Sequence, residues 1–178
     1  MAAEVVFTLT GPDRVGIVEE VTEIVLGMHG NVETSRMARL GGEFAIIMLV
    51  TLPAEQVDRF GLAFEALTSQ GYRVTTGQAD FTAAESHSGW LPYRIEVHGA
   101  DHEGIIHEIA QGLSQRGINI ESMDTGTRAA SVSGTPLFFM SALVLVPPDL
   151  PEADWIAELD EAAHLANVDV AVAKVETE

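Results

Sequence analysis

The chain has 178 residues, 27 acidic and 9 basic side chains, 47% hydrophobic content and no cysteine. That length holds one large domain or two small ones, and without cysteine there is no disulfide, thiolate metal site or cysteine nucleophile. A net charge of -18 with a single lysine, Lys174, excludes the phosphate-neutralising surface of a nucleic-acid binder and docking on anionic membrane, and no stretch reaches the roughly 20 apolar residues of a membrane span.

The N-terminal MAAEVVFTLTGPD has no basic segment, so a cleaved secretory signal is not expected and a cytoplasmic location is. In chain order, Val5, Phe7 and Leu9 alternate and predict a strand, which TGPDRVG (Thr10–Gly16) breaks. Val18, Val21, Val25 and Met28 recur at helical spacing, with Gly30 as the expected stop. Asn31–Leu40 reads as extended, Gly41–Gly42 as a hairpin turn and Phe44–Leu52 as an apolar strand. Pro53 opens a second helix with Val57, Phe60, Phe64 and Leu67 on one face and Gly71 at its end, and Tyr72–Phe81 reads as a last strand.

The same order then recurs. Tyr93, Ile95 and Val97 alternate, and Ile106, Ile109, Ala110 and Leu113 form a helical face before Gly117. Residues 118–126 are extended, and Leu137–Val146 is an apolar strand. Ile156, Leu159, Ala163 and Ala166 mark a second helix, and Val168–Val175 a closing strand. The residues repeat as well as the pattern. VVFTLTGPDRVGIV from Val5 aligns with YRIEVHGADHEGII from Tyr93 at an offset of 88, and NVETS from Asn31 aligns with NIESM from Asn119 at the same offset. FAIIMLVTLP from Phe44 aligns with FFMSALVLVP from Phe138 at an offset of 94.

The expected fold class is therefore α+β: two ferredoxin-like βαββαβ domains with antiparallel sheets. Their boundaries fall at 1–84 and 91–178, with 85–90 as linker inside the small, polar stretch Ala83–Trp90. Residues 1–85 carry 12 acids and 5 bases and residues 86–178 carry 15 and 4, so both halves present acidic surfaces. Asp124–Pro136 reads as a long hairpin loop. Phe44–Val50 and Leu143–Val146 are apolar on both sides of their strands, so the sheet face away from the helices is expected to be covered. Packing of the two repeats, with further burial in a homodimer, would cover it.

The turn between first strand and first helix, TGPDRVGI and HGADHEGI, is the strongest candidate site. A glycine-bearing loop entering a helix presents backbone N–H groups and the positive end of the helix dipole, which suits an amino-acid carboxylate. Asp13 and Asp101 can accept from the ammonium. Asn31 and Asn119 open the next strand, expected beside that loop, and can both donate and accept. The plainer alternative is that both aspartates are helix N-caps and the glycines serve turns.

The tandem arrangement resembles paired ACT domains, small regulatory modules that bind amino acids. GPDRVGIV and GADHEGII, followed by NV and NI, carry the resemblance across nearly the whole chain. The free-standing pair with TGPDRVGIV is most similar to the glycine cleavage system transcriptional repressor family. The loop also resembles the N-terminal domain of formyltetrahydrofolate deformylases, whose separate catalytic domain this chain has no room for. The resemblance implies a ligand at a domain interface, held by the loop after the first strand and by an Asn or neighbouring backbone of the second. Asp13, Gly16, Ile17 and Asn31 would form one site, and Asp101, Gly104, Ile105 and Asn119 the other. The loops differ at Arg14 versus His102 and Val15 versus Glu103, which leaves open that one site has lost binding.

The implied function is a non-enzymatic sensor of a small amino acid, glycine or serine, regulating transcription of glycine or one-carbon metabolism. The acidic charge makes such regulation indirect, through a protein partner such as a DNA-binding regulator. No cofactor and no catalytic residue is expected. One alternative is a metal- or His-dependent enzyme around Asp101, His102 and Glu103, with His98 and His107 nearby. Another is an association module without ligand. No G-x-S-x-G nucleophile elbow and no phosphate-binding loop occurs. The acidic helix Glu152–Ala163 reads as a solvated face or as a surface for a basic partner. A loop histidine would make ligand binding pH-sensitive near neutrality.

Overall fold

A computed structural model describes residues 1–82, 86–130 and 134–176. The chain divides into two units, Met1–Phe81 and Thr82–Glu178. Of the predicted linker Ala83–Trp90, residues 83–85 lie outside the described residues; beyond them, the Trp90 N–H donates to the His87 carbonyl. Among the described residues no helix is long and apolar enough to cross a membrane.

The first unit runs β1 (Ala2–Pro12), α1 (Ile17–Gly27), β2 (Asn31–Leu40), β3 (Glu43–Pro53), a segmented helix and β4 (Arg73–Gln78). The segmented helix comprises α2 (Val57–Phe60) and α3 (Glu65–Ser69), with 3-10 turns at Ala54–Gln56 and Gly61–Phe64. The second unit runs β5 (Leu91–Ala100), α4 (Ile105–Gln115), β6 (Asn119–Ala129), β7 (Pro136–Val146), α5 (Glu152–Leu165) and β8 (Val168–Lys174). Each unit holds one antiparallel sheet, ordered β2-β3-β1-β4 and β6-β7-β5-β8. This is the predicted α+β, twice-repeated βαββαβ architecture.

Strand alternation builds each core. Val5, Phe7 and Leu9 are buried and sit opposite Val50, Met48 and Ile46 of β3. Phe7 meets Phe64 at 4.5 Å and Phe60 at 6.0 Å between ring centres. Burying each such side chain contributes about 1.5–3 kcal/mol. In the second unit Ile95 and Val97 lie among Met140, Ala142, Ile109 and Leu113, all buried. The Trp155 and Tyr93 rings meet edge to face at 5.2 Å.

The helices bury the centre of each predicted stripe, Val21 and Val25, Ile109 and Leu113, and Leu159 and Ala163, but differ at its edge. The buried positions of α1 are Ile17, Val21 and Val25, while Val18 and Met28 are half-buried. Those of α4 are Ile105, Ile109 and Leu113, and Ile106 is 43% exposed. In α5, Trp155, Leu159 and Ala163 are buried and Ile156 is half-buried. At the start of each helix two adjacent apolar residues continue the same stripe, and packing against the sheet buries the first of them, Ile17, Ile105 or Trp155. The second helix of the first unit also differs from the single helix expected. It breaks at Gly61, a weak helix former, where a Cβ would lie 3.1 Å from Thr76 Oγ1 of β4.

Turn chemistry departs from expectation twice. The left-handed residue after α1 is His29 (φ 57) rather than Gly30. Gly30 is required for space, since a Cβ there would stand 2.7 Å from Leu52 Cδ2 and 3.0 Å from the Val25 carbonyl. Gly41 (φ 59) and Gly42 (φ 88) form the expected two-residue hairpin turn. In the second unit, most of Asp124–Pro136 is ladder rather than loop. Pairing continues to Ala129–Pro136, and the Ala130 N–H donates to the Thr135 carbonyl. Residues 131–133 of that stretch lie outside the described residues.

The sheet face away from the helices is less apolar than the strand sequences indicated. In the first unit Ile47, 50% exposed, lies between Arg36 and Thr8. In the second, Ser141 lies between Asp124 and Glu96 and donates to Glu96 Oε1 at 2.6 Å. At these two positions the central strand is flanked by polar neighbours, whereas Leu49 stands opposite Val6.

Candidate functional site

In both units the loop leaving the first strand is anchored on the neighbouring hairpin. The Asp13 N–H donates to the Gly42 carbonyl at 2.9 Å, and the Asp101 N–H donates to the Pro136 carbonyl at 3.0 Å. Each loop ends on a left-handed glycine that starts the helix, Gly16 (φ 90) before α1 and Gly104 (φ 98) before α4. An L side chain is strained in that conformation. No side chain caps either helix. The glycines therefore serve the turn, as the plainer reading held, but the aspartates are not N-caps. Asp13 Oδ2 instead faces Arg39 Nη1 at 3.5 Å.

The earlier loop glycine has a different cause. A Cβ on Gly11 would stand 2.5 Å from Tyr72 Cδ1, and one on Gly99 would stand 2.6 Å from Val168 Cγ1. The residue leading into the last strand lies across the loop in both units. Tyr72 also donates its hydroxyl to the Pro12 carbonyl at 2.7 Å. Arg14 extends over the Tyr72 ring at 5.7 Å, pairs with Glu20 and donates to Gln70 Oε1 at 3.3 Å. Neither Tyr72 nor Gln70 was visible as a loop partner in the sequence, because about 60 residues separate them from the loop.

His102 takes the place of Arg14 in the second loop. Its Nδ1 is 2.9 Å from the Glu103 carbonyl and its Nε2 is 2.6 Å from the Ala166 carbonyl. Carbonyls only accept, so both ring nitrogens carry protons when both bonds form. These bonds, to Glu103 first and Ala166 second, raise its pKa above the ordinary 6.5; the charge of Asp101 adds to them and desolvation opposes. A metal ligand or general base needs a free ring nitrogen, and this imidazole offers none. Among the described residues, no three His, Asp or Glu side chains gather closely enough to hold a metal ion. The alternative centre at Asp101, His102 and Glu103 thus lacks its central group.

The second loop walls a cavity of about 590 Å³. Asp101, Gly104, Ile105, Ile106, Ala110 and Phe138 are among its lining residues. Asp101, Gly104 and Ile105 are thereby brought together on one cavity wall. Ile17 and Ile105 are otherwise core residues, 2% exposed each, so their main contribution to a ligand is backbone. Acidic residues in the first helical turns, Glu19 and Glu20 of α1 and Glu108 of α4, weaken the pull of the helix dipole on an anion.

Asn31 and Asn119 do not lie beside the loop of their own unit. Asn31 and Glu4 both stand opposite Thr51, whereas the loop leaves after Pro12, opposite Glu43. Eight residues of strand separate Glu4 from Pro12, roughly 27 Å. The same holds in the second unit, where Asn119 and Pro92 both stand opposite Leu145 while the loop follows Ala100. The crossover helix returns the chain to the level where the first strand began, so the two strands run parallel and the second starts at the far end. Both amides are used locally. Asn31 Nδ2 donates to Glu33 Oε1 and Asn119 Nδ2 to Glu121 Oε1, each at 2.9 Å. Glu33 and Glu121 sit at a β-bulge that recurs in both units. The Asn31 bond, with one from Thr51, holds the Glu33 carboxyl below its ordinary 4.5.

A sequence model of the ACT domain matches residues 4–70, nearly the whole first unit. No curated protein matches the chain. Among solved structures, that of an unknown protein from Galdieria sulphuraria is similar at 31% identity over 99% of this chain and 100% of that one, with a TM-score of 0.88. A structure provisionally assigned as a glycine cleavage system transcriptional repressor is similar at 21% identity over 99% of both chains, with a TM-score of 0.71. At that identity the likeness concerns the fold alone. A formyltetrahydrofolate deformylase from Pseudomonas putida KT2440 aligns over 46% of this chain and 28% of that one at 16% identity and a TM-score of 0.38, and contributes nothing to the functional reading.

Proposed function

The chain belongs to the ACT-domain family, and from that premise we propose that it is a non-enzymatic sensor of a small amino acid, glycine or serine. The observation that carries this reading is the repeated loop. In both units a left-handed glycine starts a helix that no side chain caps, and in the second unit that loop walls a cavity of about 590 Å³. Uncapped N–H groups attract a carboxylate, and Asp13 or Asp101 accepts from the ammonium. The Asn31 and Asn119 amides belong to the far ends of their sheets. In this reading they reach the ligand from a second copy of the chain, in a homodimer.

Binding would act by favouring one arrangement over another, which requires different affinities for the two. The output is regulation of glycine or one-carbon metabolism in the cytoplasm. With a net charge of -18, that regulation runs through a basic protein partner, such as a DNA-binding regulator, rather than through DNA itself. The test is thermal unfolding of the full chain against each amino acid in turn. A ligand at about 100 times its dissociation constant adds roughly 2.7 kcal/mol. A rise confined to one or two amino acids and removed by Asp13→Ala or Asp101→Ala supports the sensor. A flat response across the panel refutes it and favours an association module.

A further inference from the structure

We infer that the loop of the second unit is held by a proton-dependent latch: His102, protonated on both ring nitrogens, ties the β5–α4 loop to the turn after α5, and loss of one proton releases it. The geometry leaves little choice of protonation state. Nε2 reaches the Ala166 carbonyl at 2.6 Å, 64 residues away in sequence, while Nδ1 reaches the carbonyl of Glu103 at 2.9 Å. A neutral imidazole has one N–H, so one of these bonds becomes a lone pair facing a carbonyl. Ala166 is also the C-terminal cap of α5, where exposed carbonyls and the helix dipole favour a cation.

The surrounding charges act on the latch in both directions. The charge of Asp101 on the same loop favours the imidazolium. His107 of α4 lines the same cavity and opposes it when charged. On the far side the partner is a backbone carbonyl, with His164 and Asp169 the nearest titratable residues along the chain. Because the folded pKa is raised, the stabilisation is fully present below about 6.5 and is lost as pH rises through the folded value.

The first unit carries the same latch in a form that does not titrate near neutrality. Arg14, at the position equivalent to His102, crosses to Gln70 in the turn after α3. A guanidinium keeps its charge throughout that range. The two loops are thus fastened at matching places, one permanently and one according to pH. Any effect on ligand binding rests on the sensor reading; the latch itself does not, so it is tested without ligand.

The experiment is nitrogen-15 NMR of the full chain with labelled histidine, from pH 5 to 9, alongside amide exchange. Of the six histidines, His102 should show two ring N–H groups at pH 6 and a midpoint above the ordinary 6.5. As it titrates, exchange at the Asp101 and Glu108 amides, whose hydrogen bonds anchor the loop, should accelerate about tenfold beyond the intrinsic rate, the factor a charge-assisted bond supplies. His102→Arg, copying the first unit, should keep exchange slow and remove the step. His102→Ala should give fast exchange at every pH. A single ring proton on His102 at pH 6, or a step that survives in His102→Arg, overturns the latch. A flat amino-acid panel with the latch signals intact would sink the sensor reading alone.

Discussion

Gly99 and Gly104 belong to one motif yet should respond differently to substitution, and the difference is measurable. A Cβ on Gly99 would meet Val168 Cγ1 at 2.6 Å, Val168 Cβ at 3.0 Å and Val168 Cα at 3.1 Å. Such overpacking costs about 1–3 kcal/mol, and the backbone contact places Gly99→Ala near the upper end. A Cβ on Gly104 meets nothing within 4 Å, so its cost comes from φ 98 alone, about 1–2 kcal/mol. Val168→Ala removes the closest atom but leaves the other two. In that background Gly99→Ala should cost at least about 1 kcal/mol less than in the parent, while Gly104→Ala is unchanged. Gly104→Asn should cost less than Gly104→Ala, because Asn tolerates the left-handed region.

Urea unfolding followed by tryptophan fluorescence reads this unit selectively. Both tryptophans, Trp90 and Trp155, lie within Thr82–Glu178, and Trp155 is 1% exposed. With a slope near 1.5 kcal/mol/M, a loss of about 2 kcal/mol moves the midpoint by roughly 1.3 M. The steric account fails if Val168→Ala leaves the cost of Gly99→Ala unaltered. The conformational account fails if Gly104→Ala is free of cost or if Asn is the worse substitute.

Two further predictions use groups outside the loops. Trp155 Nε1 is buried without a hydrogen-bond partner among the described residues, so Trp155→Phe should cost far less than the about 3–5 kcal/mol of Trp155→Ala; equal losses in chemical denaturation would mean the indole N–H is bonded after all. Because Asn31 and Thr51 lower the Glu33 pKa, its contribution to stability is present above about 4.5 and lost as pH falls through the folded value. Asn31→Ala should raise the Glu33 midpoint in a carboxyl carbon-13 titration, and an unmoved midpoint would show that the amide does not hold the carboxylate.

The asparagines show how far a repeated motif can be read. Their recurrence at matched positions was a sound signal of a shared role. The N-x-E spacing that makes the bulge bond recurs in both copies, as Asn31–Glu33 and Asn119–Glu121, but went unread. What it did not carry was position, since adjacency to the loop was inferred from order along the chain and not from strand register. Trp155 went unnoticed for a related reason, as the series from Ile156 was as regular as the one that is buried.

By itself, the sequence determined the repeat, the strand and helix types, the hairpin turn at Gly41–Gly42 and the two loops that enter helices through glycine. All of these depend on neighbours within a few residues, where alternation, helical spacing and positive φ leave a local imprint. Only tertiary structure decided which of two adjacent apolar residues starts each buried helical stripe, which end of the sheet each asparagine occupies and what crosses over each loop. Those depend on register and on contacts such as Tyr72 to Pro12 and His102 to Ala166, separated by 60 and 64 residues. Contacts at such separations form when the sheet closes, and the periodicity of a single segment holds no record of them.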